Sequence, residues 1–284
     1  MIANVFVLFL NYLWDVVQVT FSFLIISLGP LIVLAAVMNF IAGKVERYSY
    51  RLFGQKTYLR LFGGLGTAAH ELGHAFFCVI FRHRITEMKL FSPDPAKGTL
   101  GYVNHAYNPK SRYQQIGNFF IGIGPVITGS LVIYILAAIL IGVSPPSEYL
   151  PEGFVTQQDA GLLSVLGSAL QMSWYTAIGA FKDIFIGGFS TFWFYLFLYL
   201  VFAIGSSVTL SGADLKGAQK GFIYLVVFIL VVNGITLWMG DFMMNFSLFF
   251  SRITGFMNAY LLLAAFLNLL FLGILVGLTK ILRR

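Results

Sequence analysis

Six stretches of this chain, residues 16–42, 61–81, 116–143, 187–208, 222–239 and 256–278, run for 18 to 28 residues each, and five of them hold no Asp, Glu, Lys or Arg. At 1.5 Å per residue a helix of about 20 apolar residues crosses the hydrocarbon of a bilayer, where only a helix or a closed barrel satisfies its own backbone. The fold class expected is therefore an all-α polytopic membrane protein with about six transmembrane helices. Composition agrees: 58% of the 284 residues are hydrophobic and 10% charged, against about 25% charged in soluble domains. Soluble Rossmann enzymes, collagen and disorder are excluded. The net charge of +7 comes from Lys and Arg in short loops between apolar runs, a pattern that meets lipid headgroups and sets topology rather than binding nucleic acid. Cys78 is the only cysteine, so neither an intrachain disulfide nor a CxxC pair can form. Residues 1–15 lack Lys and Arg, and the run that follows is too long for a signal-peptide core, so the first span is expected to stay in the chain.

Pro30 should kink the first span. Residues 161–181 carry no charge, with Leu162, Leu166, Leu170, Trp174, Ile178 and Phe181 on one stripe and Ser164, Ser168, Gln171 and Tyr175 elsewhere. That pattern predicts one interfacial amphipathic helix. Residues 85–91 and 99–104, around Ser92-Pro93-Asp94-Pro95-Ala96-Lys97-Gly98, predict a short polar β-hairpin. No repeat or low-complexity tract appears, so residues 1–284 are expected to be a single membrane-embedded domain. Lys and Arg divide 11 to 7 in favour of the side that carries the hairpin and both termini, which orients that side inward.

The chemistry lies in the second span, in Gly66-Thr67-Ala68-Ala69-His70-Glu71-Leu72-Gly73-His74. Residues four apart share a helix face, so His70 and His74 can offer two imidazoles to one metal while Glu71 stands beside it to take a proton from bound water. This is the HExxH signature of metallopeptidases. The alternative, polar residues bridging buried helices, is disfavoured because ionisable groups inside a span are costly and mark function.

A catalytic zinc needs a third protein ligand and an open position for water. Asp214 follows the fourth span, and two crossings separate it from the end of the second, which puts it on the same face as His70 and His74 if 161–181 does not span. Its alternative role is an N-cap or a surface carboxylate facing Lys216. Cys78 shares the helical face but lies two turns from His70, where packing is the ordinary role. His105 is chemically suitable but sits in a polar loop, and His83, between Arg82 and Arg84, reads as an interface anchor. Gly122, Gly124 and Gly129 in the third span permit close packing, expected against the second.

These residues resemble the site-2 proteases, intramembrane zinc metalloproteases. The resemblance rests on HExxH within a span, the polar hairpin after it, the glycine-rich stretch Gly117-Asn118-Phe119-Phe120-Ile121-Gly122-Ile123-Gly124-Pro125 and the late Asp214. It implies a catalytic core of about residues 59–221, Zn2+ held by His70, His74 and Asp214, and Glu71 as general base. It also implies peptide-bond hydrolysis in membrane-spanning or membrane-associated protein substrates. The chain departs from the family pattern where Ser206, Ser207 and Thr209 replace the usual Asn and Pro, where Gly follows Asp214 by three residues, and in lacking a PDZ-like insert. Leu100 and Tyr102 on the hairpin, which could take up an extended substrate by strand addition, and Asn118 beside the site are the expected substrate contacts. The expected location is a bacterial inner (plasma) membrane, with the site toward the cytoplasm. The rival reading is a non-proteolytic metal-binding membrane protein, either a transporter or an assembly factor with an inactive protease fold. A transporter would line several spans with polar ligands, which this chain does not.

Overall fold

The computed structural model describes residues 2–93, 100–151, 162–187, 191–239 and 241–282. The expected turn at 94–98, Thr99 and Gly161 lie outside them. Helix α1 (Ile2–Phe53) runs through Pro30 without interruption. After the short α2 (Gln55–Tyr58), one π-helical turn, Leu59–Gly63, leads into α3 (Gly64–Ile80). Strands β1 (Arg84–Lys89) and β2 (Tyr102–Ala106) follow, then α4 (Arg112–Leu140), α5 (Leu162–Gly187), α6 (Phe192–Gly205), α7 (Gly212–Thr236) and α8 (Asp241–Ile281). Helical structure thus dominates, with one two-stranded antiparallel sheet.

Among the described residues, four helical stretches are long and apolar enough to cross a membrane: Asn4–Phe53, Arg112–Leu140, Gly212–Met239 and Arg252–Ile281. The other two expected spans are shorter as helices. Helix α3 has 17 residues and α6 has 14, about 21 Å for the latter against a hydrocarbon core of about 30 Å. The interior is packed by residues such as Met38, Val126, Ile133, Phe197, Tyr260 and Leu261. Outward faces are apolar too: Leu72, Phe76 and Val79 on α3, and Val227, Val231 and Ile235 on α7, are exposed, as lipid-facing surfaces are.

Glycines bring the helices around the motif to backbone contact. A Cβ on Gly73 of α3 would strike Thr128 and the backbone of Pro125 in α4, and one on Gly117 would strike Phe81, so α3 and α4 are antiparallel. Gly122 of α4 lies on Asp214 and Ala218, Gly221 of α7 on Phe119 and Gln115, and Arg112 over the Tyr224 ring; α7 therefore also runs against α4. Helix α6 runs along α3, with the Tyr199 hydroxyl donating to Leu61 O and Gly66 against Ala203 and Ser207. Of Gly122, Gly124 and Gly129, expected against the second span, Gly124 meets it, while Gly122 meets α7 and Gly129 meets Val208.

It follows that α6 and α7, consecutive in the chain, point the same way. The segments 187–208 and 222–239, expected as two separate spans, form one broken course with a non-helical interval at 206–211. Hydroxyl residues account for the break: Ser206 turns its Oγ back to Ala203 O at 3.0 Å, and Ser211 caps the new helix. Asp214 thus reaches the histidines from the first turn of α7, directly after this interruption, not by a second crossing.

Two other expectations need adjustment. Helix α5 exposes Leu170 and Trp174 as its apolar stripe requires, but Ser168, Ser173 and Thr176 are buried rather than facing headgroups, because small side chains let α5 lie close to α8. The strands are shifted from 85–91 and 99–104. Arg84 pairs with Ala106 and Lys89 with Tyr102, with an irregularity between Ile85 and Glu87 that absorbs Thr86. Pairing with Arg84 and Ile85 extends the second strand through His105 and Ala106.

Because the Gly73 contact sets the α3–α4 spacing, Gly73→Val is expected to lower the unfolding temperature in detergent and to remove bound metal together. Calorimetry and metal analysis on the same sample check this.

Candidate metal centre

His70 and His74 lie one turn apart on α3, their Nε2 atoms 3.1 Å from each other. Asp214 Oδ1 stands 3.3 Å from His74 Nε2, and Oδ2 3.8 Å from His70 Nε2. Among the described residues these three form the group able to hold a metal ion, with ligand atoms within 4.8 Å of one another.

The rings are aimed by backbone carbonyls. His70 Nδ1 donates to Ser207 O at 2.8 Å and His74 Nδ1 to Ile121 O at 2.7 Å. A carbonyl only accepts, so both protons sit on Nδ1 and both Nε2 lone pairs face inward. Carbonyls inside helices are normally consumed by the amide four residues on. Ile121 O is free because the residue at that position is Pro125, which lies inside α4 and has no N–H. Ser207 O lies in the interval between α6 and α7, where it accepts the Thr209 N–H at 2.9 Å and has its second lone pair open to His70.

Asp214 serves two purposes that the sequence posed as alternatives. It is the third residue of α7 in a capping box with Ser211: Asp214 N–H donates to Ser211 Oγ at 3.2 Å, and Ser211 N–H to Asp214 Oδ2 at 2.7 Å. One carboxylate oxygen caps the helix, and the other is turned to the histidines. Two bare imidazole nitrogens and a carboxylate oxygen this close repel one another unless a cation lies between them. Around a tetrahedral ion with bonds of about 2.1 Å, ligand atoms stand about 3.4 Å apart, which the observed separations bracket. The donor set fits a divalent metal.

Glu71 is buried and lines the same cavity, of about 590 Å³, as the three ligands. The expected substrate contacts Leu100, Tyr102 and Asn118 line it as well. The Asn118 side-chain nitrogen is buried and has no hydrogen-bond partner among the described residues. Strand β2 faces the cavity from Tyr102 to His105, and Gly101 lies so close that a Cβ there would meet Glu71 Cγ at 2.9 Å. Cys78 is fully buried with Phe77, Phe81 and Ile121 and packs. His105 stands outside the ligand group but lines the cavity.

His83 is the correction here. It is 5% exposed, not an anchor among headgroups, and is bonded to Gln114 O and His105. Its surroundings are tertiary, and the flanking arginines concealed this. The carbonyl-freeing role of Pro125 was also missed, although a proline inside an apolar span was its visible signal. Comparison of the chain with protein-family models, characterised proteins and solved structures finds no match.

Two outcomes follow from this geometry. Asp214→Asn keeps a side-chain oxygen for the Ser211 amide, so it is expected to leave the fold intact while metal content drops severalfold, read by metal analysis beside circular dichroism. Pro125→Ala restores an amide that competes for Ile121 O; metal affinity is expected to fall about tenfold while helix content and thermal stability hold or rise. Unchanged affinity in Pro125→Ala would remove the role given to that carbonyl.

Proposed function

We propose that this protein is a zinc-dependent intramembrane endopeptidase of site-2 protease type that cleaves membrane-spanning or membrane-associated protein substrates. What supports this most is one juxtaposition: the metal-ligand group, a buried Glu71 and the open side of a β-strand share a single cavity. A metal transporter needs ligands along a path, and among the described residues the group of three is the one able to hold an ion.

His70, His74 and Asp214 would hold zinc, which supplies activated water and polarises a scissile carbonyl. Glu71, adjacent in the same cavity, accepts the proton of the attacking water and passes it to the leaving nitrogen as the C–N bond breaks. Asn118 has a free buried N–H with which to hold a substrate carbonyl. A helical substrate hides its peptide groups in its own hydrogen bonds and must be unwound to be cut. Among the described residues the β1–β2 sheet has two strands, which leaves β2 an edge that can accept an extended peptide as a third strand.

The decisive comparison is Glu71→Gln, expected to retain zinc and fold while cleavage of model transmembrane substrates falls by orders of magnitude. Cleavage at the wild-type rate would sink the mechanism, and a wild-type protein that binds metal but cuts nothing would favour the non-proteolytic reading. Proline at Leu100 or Tyr102 is expected to slow cleavage of helical substrates without releasing zinc, since it deletes a backbone donor of the strand.

A further inference from the structure

A second pair of histidines adjoins the cavity, and the mechanism above does not use it. His83 is buried at the turn between α3 and β1, where the chain bends sharply. His83 N–H donates to Cys78 O and Arg82 N–H to Val79 O, with Arg82 at φ 57°, the left-handed position of a Schellman cap. The ring then enters a fitted slot. Tyr107 stacks on it at 20° between planes and 5.0 Å between centroids. Gly117 leaves room for it, since a Cβ there would meet His83 Nε2 at 3.0 Å. Gln114 is fastened around it by Nε2–H to Arg82 O at 2.7 Å and by accepting Asn108 N–H at 2.6 Å.

The hydrogen bonds determine every proton in this pair. His83 Nε2 lies 2.9 Å from Gln114 O. A carbonyl cannot donate, so that nitrogen carries the hydrogen. The neutral ring then has a bare Nδ1, which lies 3.0 Å from His105 Nδ1 and must accept from it. His105 is left with a hydrogen on Nδ1 and a lone pair on Nε2. Burial pushes both rings toward the neutral form, His105 down to about 4 with His83 and His74 adding to the effect, and no carboxylate contacts His83 to reverse this. His105 stands outside the metal-ligand group while lining the cavity. Its Nε2 takes part in none of the hydrogen bonds found among the described residues.

We infer that His105 is a further substrate-contacting residue, whose Nε2 accepts a hydrogen bond from a backbone N–H of a peptide lying along β2, and that His83 is the positioning residue that holds its tautomer. This rests on the peptide-binding part of the proposed function and not on cleavage. The ligand class is an extended polypeptide with a free amide N–H opposite His105, a group that a helical peptide offers only after unwinding.

The test uses the full chain carrying Glu71→Gln, so that binding is read without turnover. The probe is a single-span model peptide in detergent micelles, with a series of versions in which one backbone amide at a time is replaced by an ester. Each ester removes one N–H. One position is expected at which the ester weakens binding about tenfold and at which adding His105→Phe abolishes that penalty, with metal content unchanged. Ester penalties that persist in full beside His105→Phe, or an ester series with no effect in the His105 protein, would overturn the assignment.

His83 is read separately. The ring nitrogens of the labelled protein should show hydrogen on His105 Nδ1 and on His83 Nε2 by NMR. His83→Gln, which keeps one acceptor and one donor, should preserve peptide affinity within about threefold, and His83→Phe should lose about tenfold. A hydrogen on His105 Nε2, or equal affinities in the two variants, would exclude the positioning role. A wild-type protein that binds peptide with the His105 coupling but cleaves none would remove the peptidase reading and leave this one. Cleavage without the coupling would do the reverse.

Discussion

An imidazole can serve a metal only when something holds its other nitrogen, and inside an apolar helical bundle there is almost nothing free to do so. Backbone carbonyls are the available acceptors, and a regular helix consumes them. The structure makes two exceptions where the histidines need them. Pro125 withholds the amide that would have occupied Ile121 O, and the course from α6 to α7 is interrupted so that Ser207 O can reach His70. Each departure from regular helix has a cost, and each sets the direction of one lone pair.

Close approach is the second requirement, because carbonyls aim imidazoles only across bond-length distances. Gly66, Gly73 and Gly122 bring α3, α4 and the two half-courses α6 and α7 to backbone contact around the site. With little hydrophobic drive between helices in lipid, such small-residue contacts carry the packing. The interruption also gives α7 an N-terminus inside the bundle, so Asp214 can cap it with one oxygen and face the histidines with the other. Fold and metal affinity are coupled through that single carboxylate.

The hairpin sets the cavity's remaining wall. Its proximity to Glu71 at Gly101 means that a peptide strand laid on β2 would pass that carboxyl group, the proposed general base. The same strand carries His105, whose ring is governed from behind by His83. A cavity that holds the ligand group together with Asn118, which has a donor, and His105, which has an acceptor, suits the alternating carbonyls and amides of an extended chain.

Much of this was legible in the residues. Apolar run length gave the helical membrane class, because hydrocarbon admits little else. The four-residue spacing of His70 and His74 put two ligands on one face, since helix geometry is local. The polar segment with Pro and Gly at its centre gave the hairpin to within a few residues, the error being in register, which depends on pairing rather than on composition. Asp214 was put forward from a count of crossings that the co-directional α6 and α7 do not follow, although the structure does bring it to the two histidines. The burial of His83, its bond to His105 and the inward turn of the serine face of α5 were not legible, for these depend on which elements pack together. What is local to the chain is the chemistry on offer: two imidazoles and a carboxylate in an apolar helix, and a proline and a run of hydroxyls where helices cannot stay regular. Which carbonyl each ring finds, and which carboxylate joins them, follow from packing, because those choices are made by contacts between residues 47 to 144 positions apart, where the local periodicity of a chain carries no information.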